Sequence, residues 1–139
     1  MPETYALQRF VDAQAGVIMR VREELGRGRK LSHWMWFVFP QLAGLGTSAM
    51  SRRYAIASLD EARAYLAHPV LGATLTDCTA LVLAHAGRSA HDIFGAPDDR
   101  KFHSSMTLFA RAAPDAAPFR RALDTFFAGR EDEATVERL

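Results

Sequence analysis

Apolar residues recur at helical spacing along most of this chain, and glycines, prolines or capping residues interrupt the pattern at short intervals. Spacings of three and four residues place apolar side chains on one face of a helix. The chain has 139 residues, which fits a single domain, and it contains no internal repeat. We therefore predict an all-α fold, in which residues 1–139 form one compact domain of about seven or eight helices around one core.

Local signals place the individual helices. Residues 4–26 predict one long amphipathic helix. Ser58, followed three residues later by Glu61, has the spacing of a capping box and predicts a helix start. Asp98 is the expected N-cap of a helix over residues 99–111.

The densest aromatic segment lies between Lys30 and Gln41, where Trp34–Phe39 are all apolar. Six residues are too few to distinguish a buried helix from a buried strand by periodicity. The even positions of both tryptophans favour a strand, whereas the lack of a partner strand favours a short buried helix. The rings either fill the core or form a wall that stacks a flat ligand, edged by Lys30, His33 and Gln41.

A loop with closely spaced glycines follows, over Gly44–Ser48. Such glycines allow backbone N–H groups to approach a phosphate, above all where a helix begins. The loop lacks the Gly-Lys-Ser/Thr of a P-loop, and no strand precedes it as a dinucleotide fingerprint requires. It is therefore either a plain turn or a phosphate-binding loop, with Gly44 and Gly46 at the points of close approach.

Residues 98–107 combine a lysine with hydroxyl groups. Lys101, Ser104 and Ser105 share one face of the predicted helix, although serine is an unusual choice in a helix interior because its hydroxyl competes with the backbone. Of the 17 basic residues, two are lysines, Lys30 and Lys101. Either the small residues permit close helix packing, or this face binds a phosphate or a sugar.

Several classes of function fit the sequence poorly. A net charge of +1 provides no field for a polyanion, so a nucleic acid is an unexpected partner. The five histidines lack the spacing of a zinc peptidase motif, and we expect no metal. No apolar run reaches the ~18 residues of a membrane span, and the N-terminus lacks the pattern of a signal peptide. With a single cysteine, Cys78, these features predict a cytoplasmic protein.

Ser32–Gln41 and the Gly-Leu-Gly that starts at Gly44 resemble the signature of an uncharacterised family of bacterial and fungal proteins, domain of unknown function 1810. The resemblance continues through Tyr54, His68–Gly72 and Asp98–Phe109, and so covers nearly the whole chain. It implies a single, mainly α-helical domain and no established activity. Some members carry the label calpastatin, but protease-inhibitory calpastatin segments are disordered and repeated, unlike this chain.

The unusual segments together predict one pocket, formed by the His33–Gln41 aromatic segment, the Gly44–Ser48 loop and the Lys101–Thr107 helix. It would bind or process a phosphorylated, nucleotide-like small molecule, with rings stacking the flat part and cations meeting the phosphate. The expected ligand-binding residues are Lys30, Trp34, Trp36, Gln41, Gly44, Gly46, Arg52, Lys101, Ser104 and Ser105. If the protein is an enzyme, His33 is the candidate general acid–base group.

The alternative function is a non-enzymatic protein-interaction module that uses exposed aromatic residues. A ligand pocket is concave with convergent polar groups, whereas an interface is a flatter apolar patch with a polar rim. The cofactor, if any, and the oligomeric state stay open at this stage.

Overall fold

The computed structural model describes residues 5–139 and shows one helical domain around a single apolar core. Its ten helices are α1 (Gln8–Ala15), α2 (Ile18–Gly26), α3 (Met35–Val38), α4 (Ala49–Arg53), α5 (Leu59–Ala67), α6 (Leu71–Leu83), α7 (Ala90–Phe94), α8 (Asp98–Ala112), α9 (Ala117–Phe127) and α10 (Glu133–Arg138). The described residues contain no strand; one isolated parallel bridge joins Leu42 to Ile56. The all-α prediction is confirmed, with more helices than the seven or eight expected.

One additional helix arises because the predicted helix over 4–26 is broken, and its first residue lies outside the described residues. α1 ends at Ala15 and α2 begins at Ile18. Gly16 lies at the break, where glycine is less costly than in a helix interior, and Val17 has a φ of −130°, outside the helical range. The break lets α1 pack against α3 while α2 packs against α6.

The other additional helix is α7, a helix of five residues that begins with a capping box. The Ser89 hydroxyl accepts the Asp92 N–H at 3.0 Å, and the Asp92 carboxylate accepts the Ser89 N–H at 3.3 Å. The predicted cap of α5 is present too, since the Ser58 hydroxyl accepts the Glu61 N–H at 3.2 Å. Glu61 reaches one residue further back than a capping box requires, to the Ala57 N–H at 2.6 Å.

α8 occupies the centre of the fold and packs against α3, α5, α7, α9 and α10. Phe102, Met106 and Phe109 of α8 are fully buried. Because α8 is held on so many sides, its N-terminus has a fixed position beside α3 and α7.

The aromatic segment forms the short buried helix α3, flanked by Trp34 and Phe39. Trp34 is 1% exposed and Phe39 is fully buried. The Phe39 ring packs edge-on against Phe94 and Phe102, with ring centroids 5.9 and 5.1 Å away. Edge-to-face contact is a favoured aromatic geometry, and here it fastens α3 to α7 and to the first turns of α8.

We looked for helices able to cross a membrane. Within residues 5–139, no single helix has the length and apolar content to do so. α5 and α6 meet the criterion only when taken together, and the chain bends by 90° between them.

Candidate functional site

A cleft of about 350 Å³ opens where the segment before α3 meets the start of α8. Its lining combines both lysines of the chain with one aspartate, one histidine and seven apolar residues. The lining residues are Lys30, Leu31, His33, Trp34, Met35, Trp36, Phe94, Ala96, Pro97, Asp98 and Lys101. The fold therefore brings the aromatic segment and the lysine of α8 together in one cleft.

The carboxylate of Asp98 lies between the two lysines. Its Oδ2 is 2.8 Å from Lys30 Nζ, and its Oδ1 is 3.4 Å from Lys101 Nζ. The Lys30 side chain is 6% exposed and that of Lys101 is 22% exposed. A buried ammonium group needs a paired carboxylate. Asp98 therefore neutralises Lys30, while Lys101 is the more accessible cation of the cleft.

Each lysine also lies over a tryptophan ring. Lys30 Nζ is 5.1 Å from the ring centroid of Trp34, and Lys101 Nζ is 5.3 Å from that of Trp36. These distances are within the range of cation–π attraction. Trp34 is buried and Trp36 is half-buried, so Trp36 is the ring that keeps surface for a ligand.

Glu24 of α2 holds the segment that precedes α3. Its Oε1 accepts the N–H groups of Leu31 (2.7 Å) and Ser32 (2.9 Å) and the indole N–H of Trp34 (3.0 Å). Its Oε2 accepts the hydroxyl of Ser32. Burial raises the pKa of Glu24, but these hydrogen bonds outweigh it and lower the pKa from 4.5 to about 2. Glu24 thereby gives the buried indole its partner and fixes one wall of the cleft.

The predicted capping role of Asp98 is wrong. α8 begins at Asp98 itself, and Pro97 occupies the N-cap position without a side-chain cap. The carboxylate bonds Lys30 and Lys101 instead. Its place in the first turn still suits a negative charge, because a helix N-terminus carries partial positive charge.

His33 lines the cleft and is exposed to solvent. It forms no hydrogen bond or ion pair with any residue in the described part of the chain. A general acid–base group must lie within hydrogen-bond reach of the proton it transfers, and His33 can meet that condition only with a ligand present. Across residues 5–139, no three His, Cys, Asp or Glu side chains are grouped so as to hold a metal ion.

The two serines of α8 do not line the cleft, contrary to the prediction. The Ser104 hydroxyl bonds the Arg100 carbonyl and the carboxylate of Asp132, both at 3.1 Å. Asp132 is the N-cap of α10. Ser105 is fully buried, and its hydroxyl has no hydrogen-bond partner among the described residues. This face of α8 is covered by α10 and the core, so it cannot also face a ligand.

The Gly44–Ser48 loop is not part of the lining of this cleft either. The Gln41 carbonyl accepts the Ile56 N–H at 2.8 Å, which closes the loop onto the residues before α5. Gly44, with a φ of +93°, packs against the guanidinium of Arg138 from α10. Four expected ligand-binding residues therefore lie outside the lining of the cleft: Gln41, Gly44, Gly46 and Arg52.

The alternative function expects exposed aromatic residues. Every aromatic side chain within residues 5–139 is buried or half-buried. The large apolar side chains that are exposed are aliphatic: Met19, Leu31, Val70 and Leu139. Rings such as those of Phe39, Phe94 and Phe102 pack against one another in the core, whereas half-buried rings such as Trp36 keep part of their surface.

A larger hollow, of about 600 Å³, lies between α1 and the end of α4. Two arginines, Arg9 and Arg53, line it, and the guanidinium of Arg9 already donates to the carbonyls of Tyr5, Ala6, Arg53 and Ala55 and to Glu61. All of its donor groups are thus committed within the fold. We therefore assign the candidate site to the smaller cleft, where Lys101 is less completely paired.

Sequence reasoning missed two residues that shape this cleft. Asp98 was interpreted as a cap, although its spacing of three residues from Lys101 also indicated an ion pair. Glu24 lies in a strongly charged stretch, which is typical of a solvated helix surface. The indole N–H of Trp34 required a buried acceptor, but no local pattern identified Glu24 as that acceptor.

We then compared the chain with known proteins. Residues 4–139 match a family described as protein of unknown function (DUF1810). The chain belongs to this family. It is similar to the conserved hypothetical protein Rv1873 from Mycobacterium tuberculosis, whose crystal structure is known: the two are 54% identical with a TM-score of 0.97, over 99% of this chain and 98% of the other. No curated protein matches the chain.

Proposed function

We propose that the cleft binds a small phosphorylated, nucleotide-like molecule. One observation carries the proposal: both lysines of an arginine-rich chain meet at one carboxylate, and each lies over a tryptophan ring. The volume of about 350 Å³ is at the lower end of the range for small-molecule pockets.

In this proposal Lys101 binds the anionic group. An ammonium group has three hydrogen-bond donors, and the one carboxylate oxygen near Lys101 is 3.4 Å away. Donors therefore remain for a phosphate oxygen. Trp36 provides a half-buried ring beside that cation for the flat part of the ligand.

If the site also catalyses a reaction, His33 is the group for proton transfer, because it lines the same cleft and is exposed to solvent. We further infer a cytoplasmic location, in keeping with the unpaired thiol of Cys78.

The test is ligand-induced stabilisation of the full chain. Adenosine monophosphate, nicotinamide mononucleotide and ribose 5-phosphate are the probes, with thermal unfolding and titration calorimetry as readouts. A probe held at 100 times its Kd stabilises the folded state by about 2.7 kcal/mol. We expect at least one nucleotide probe to do so, and the absence of any shift for all three would overturn the proposal.

The variant Lys101→Met removes the positive charge of the Lys101 side chain and keeps most of its aliphatic stem. We expect it to lose the ligand-induced shift. Arg52→Met is the matched control, because it removes one positive charge from an exposed position of α4 outside the cleft. Equal loss in both variants would indicate a non-specific charge effect, and an unchanged shift in Lys101→Met would contradict the role of Lys101.

A further inference from the structure

Resting on this proposed function, we infer that Asp98 restricts the cleft to ligands with one anionic group, such as a phosphate monoester, and excludes diphosphates and triphosphates. The charges that line the cleft belong to Lys30, Lys101 and Asp98, with His33 as the remaining titratable group. With His33 neutral, the lining carries a net charge of +1, from two lysines and one aspartate.

Lys30 is not available to a second anionic group. Its side chain is 6% exposed, and its ammonium is 2.8 Å from Asp98 and also bonds the Ser32 carbonyl. Asp98 in turn cannot turn away from Lys30, because that movement would leave a buried, unpaired charge. The pair is therefore a fixed part of the wall.

A ligand anion consequently meets one accessible cation with a carboxylate next to it. Lys101 can offset part of the charge of one phosphate group, which carries about −1.5 to −2 charges at pH 7. A second phosphate in this space would meet Asp98 and, among the described residues that line the cleft, no free cation. Like charges at close range suppress binding of the wrong partner, so Asp98 acts as the selectivity residue.

The experiment compares the Kd values of adenosine mono-, di- and triphosphate for the wild type and for Asp98→Asn. For the wild type we expect the monophosphate to bind at least about tenfold more tightly than the diphosphate, a difference of about 1.4 kcal/mol. Asp98→Asn retains the side-chain size and raises the lining charge to +2, so we expect the preference to disappear or reverse.

A second variant avoids the buried pair, in case Asp98→Asn folds poorly. Ala96 is exposed and lines the cleft, so Ala96→Lys also raises the lining charge to +2 while Asp98 keeps its partner. Ala80→Lys is the matched control, because it adds the same charge at an exposed position of α6 outside the cleft. We expect Ala96→Lys to gain diphosphate affinity relative to monophosphate and Ala80→Lys to leave the ratio unchanged.

The outcomes separate this inference from the proposed function. If none of the three nucleotides binds the wild type, the nucleotide part of the proposed function fails and the inference fails with it. If the wild type binds the diphosphate or triphosphate as tightly as the monophosphate, the proposed function stands and the inference is overturned. A monophosphate preference that persists in both Asp98→Asn and Ala96→Lys also overturns it.

Discussion

Glu24 and Asp98 are buried or half-buried carboxylates that each bind several polar groups of the cleft wall. Glu24 gathers two backbone N–H groups, a hydroxyl and an indole N–H from residues 31–34. Asp98 gathers two ammonium groups. A buried carboxylate is costly unless all of its partners are present. Both residues therefore contribute to the shape of the cleft and to the stability of the fold.

The low pKa of Glu24 predicts an acid-dependent loss of stability. Its folded-state pKa of about 2 lies below the ordinary value of 4.5, so the folded state favours the ionised form. The contribution of ionised Glu24 to the stability of the fold is fully present above about pH 5 and is lost as the pH falls towards 2. It amounts to about 3 kcal/mol of unfolding free energy.

Chemical denaturation of the wild type and Glu24→Gln between pH 7 and pH 2 measures this contribution. We expect the wild type to be more stable at pH 7 and the difference to shrink by about 3 kcal/mol towards pH 2. Other carboxylates titrate in both proteins and cancel in the comparison. If the stability of the wild type and that of Glu24→Gln changed in parallel over this pH range, Glu24 would not hold residues 31–34 as an ionised group.

The junction between α5 and α6 depends on one glycine. A Cβ built on Gly72 of α6 would clash with the backbone carbonyl of Leu66 in α5. A backbone group cannot move away as the end of a flexible side chain can, so a side chain at position 72 would push the two helices apart. Gly16 presents the opposite case, because a Cβ there meets no atom within 4 Å.

We therefore predict opposite effects for two substitutions that each add one methyl group. Gly16→Ala stabilises the fold by about 0.4–1 kcal/mol, because it lowers the entropy of the unfolded chain. Gly72→Ala destabilises it by at least about 1 kcal/mol, because overpacking outweighs the gain in helix propensity. Thermal and urea unfolding of both variants measure whether each substitution raises or lowers the stability of the fold. A Gly72→Ala variant that is more stable than the wild type would contradict the close approach of α5 and α6.

At the scale of the whole molecule, one continuous core includes the thiol of Cys78. The side chain is fully buried on α6, and burial is the main cause that raises its pKa to about 11. A protonated, buried thiol is unreactive. Because the core is shared by the whole domain, the thiol becomes accessible only when the domain unfolds as a unit.

Alkylation of Cys78 at pH 8 therefore reports on global unfolding. We expect no measurable reaction in native buffer, and a guanidinium midpoint for thiol exposure that coincides with the midpoint of helix loss by circular dichroism. Full reactivity in denaturant is the control. Thiol exposure at a lower denaturant concentration than helix loss would reveal a separate opening of α6.

The sequence by itself determined the fold class, most helices and the buried faces of α6 and α8, because amphipathic spacing and helix caps act within a few residues. It also singled out the aromatic segment and the two lysines. The break at Gly16 depended on which helices α1 and α2 pack against. Ser104 and the Gly44–Ser48 loop contact α10 and its N-cap rather than the cleft.

Only the tertiary structure decided which of these groups share a cleft. Lys30 and Lys101 meet through Asp98 because α8 is held with its N-terminus against the segment that Glu24 fixes. Contacts of this kind join residues that are about 70 positions apart in the chain, and their energy depends on burial and distance rather than on sequence spacing. A local pattern can therefore mark an unusual residue, whereas its partner is chosen by the packing of the whole core.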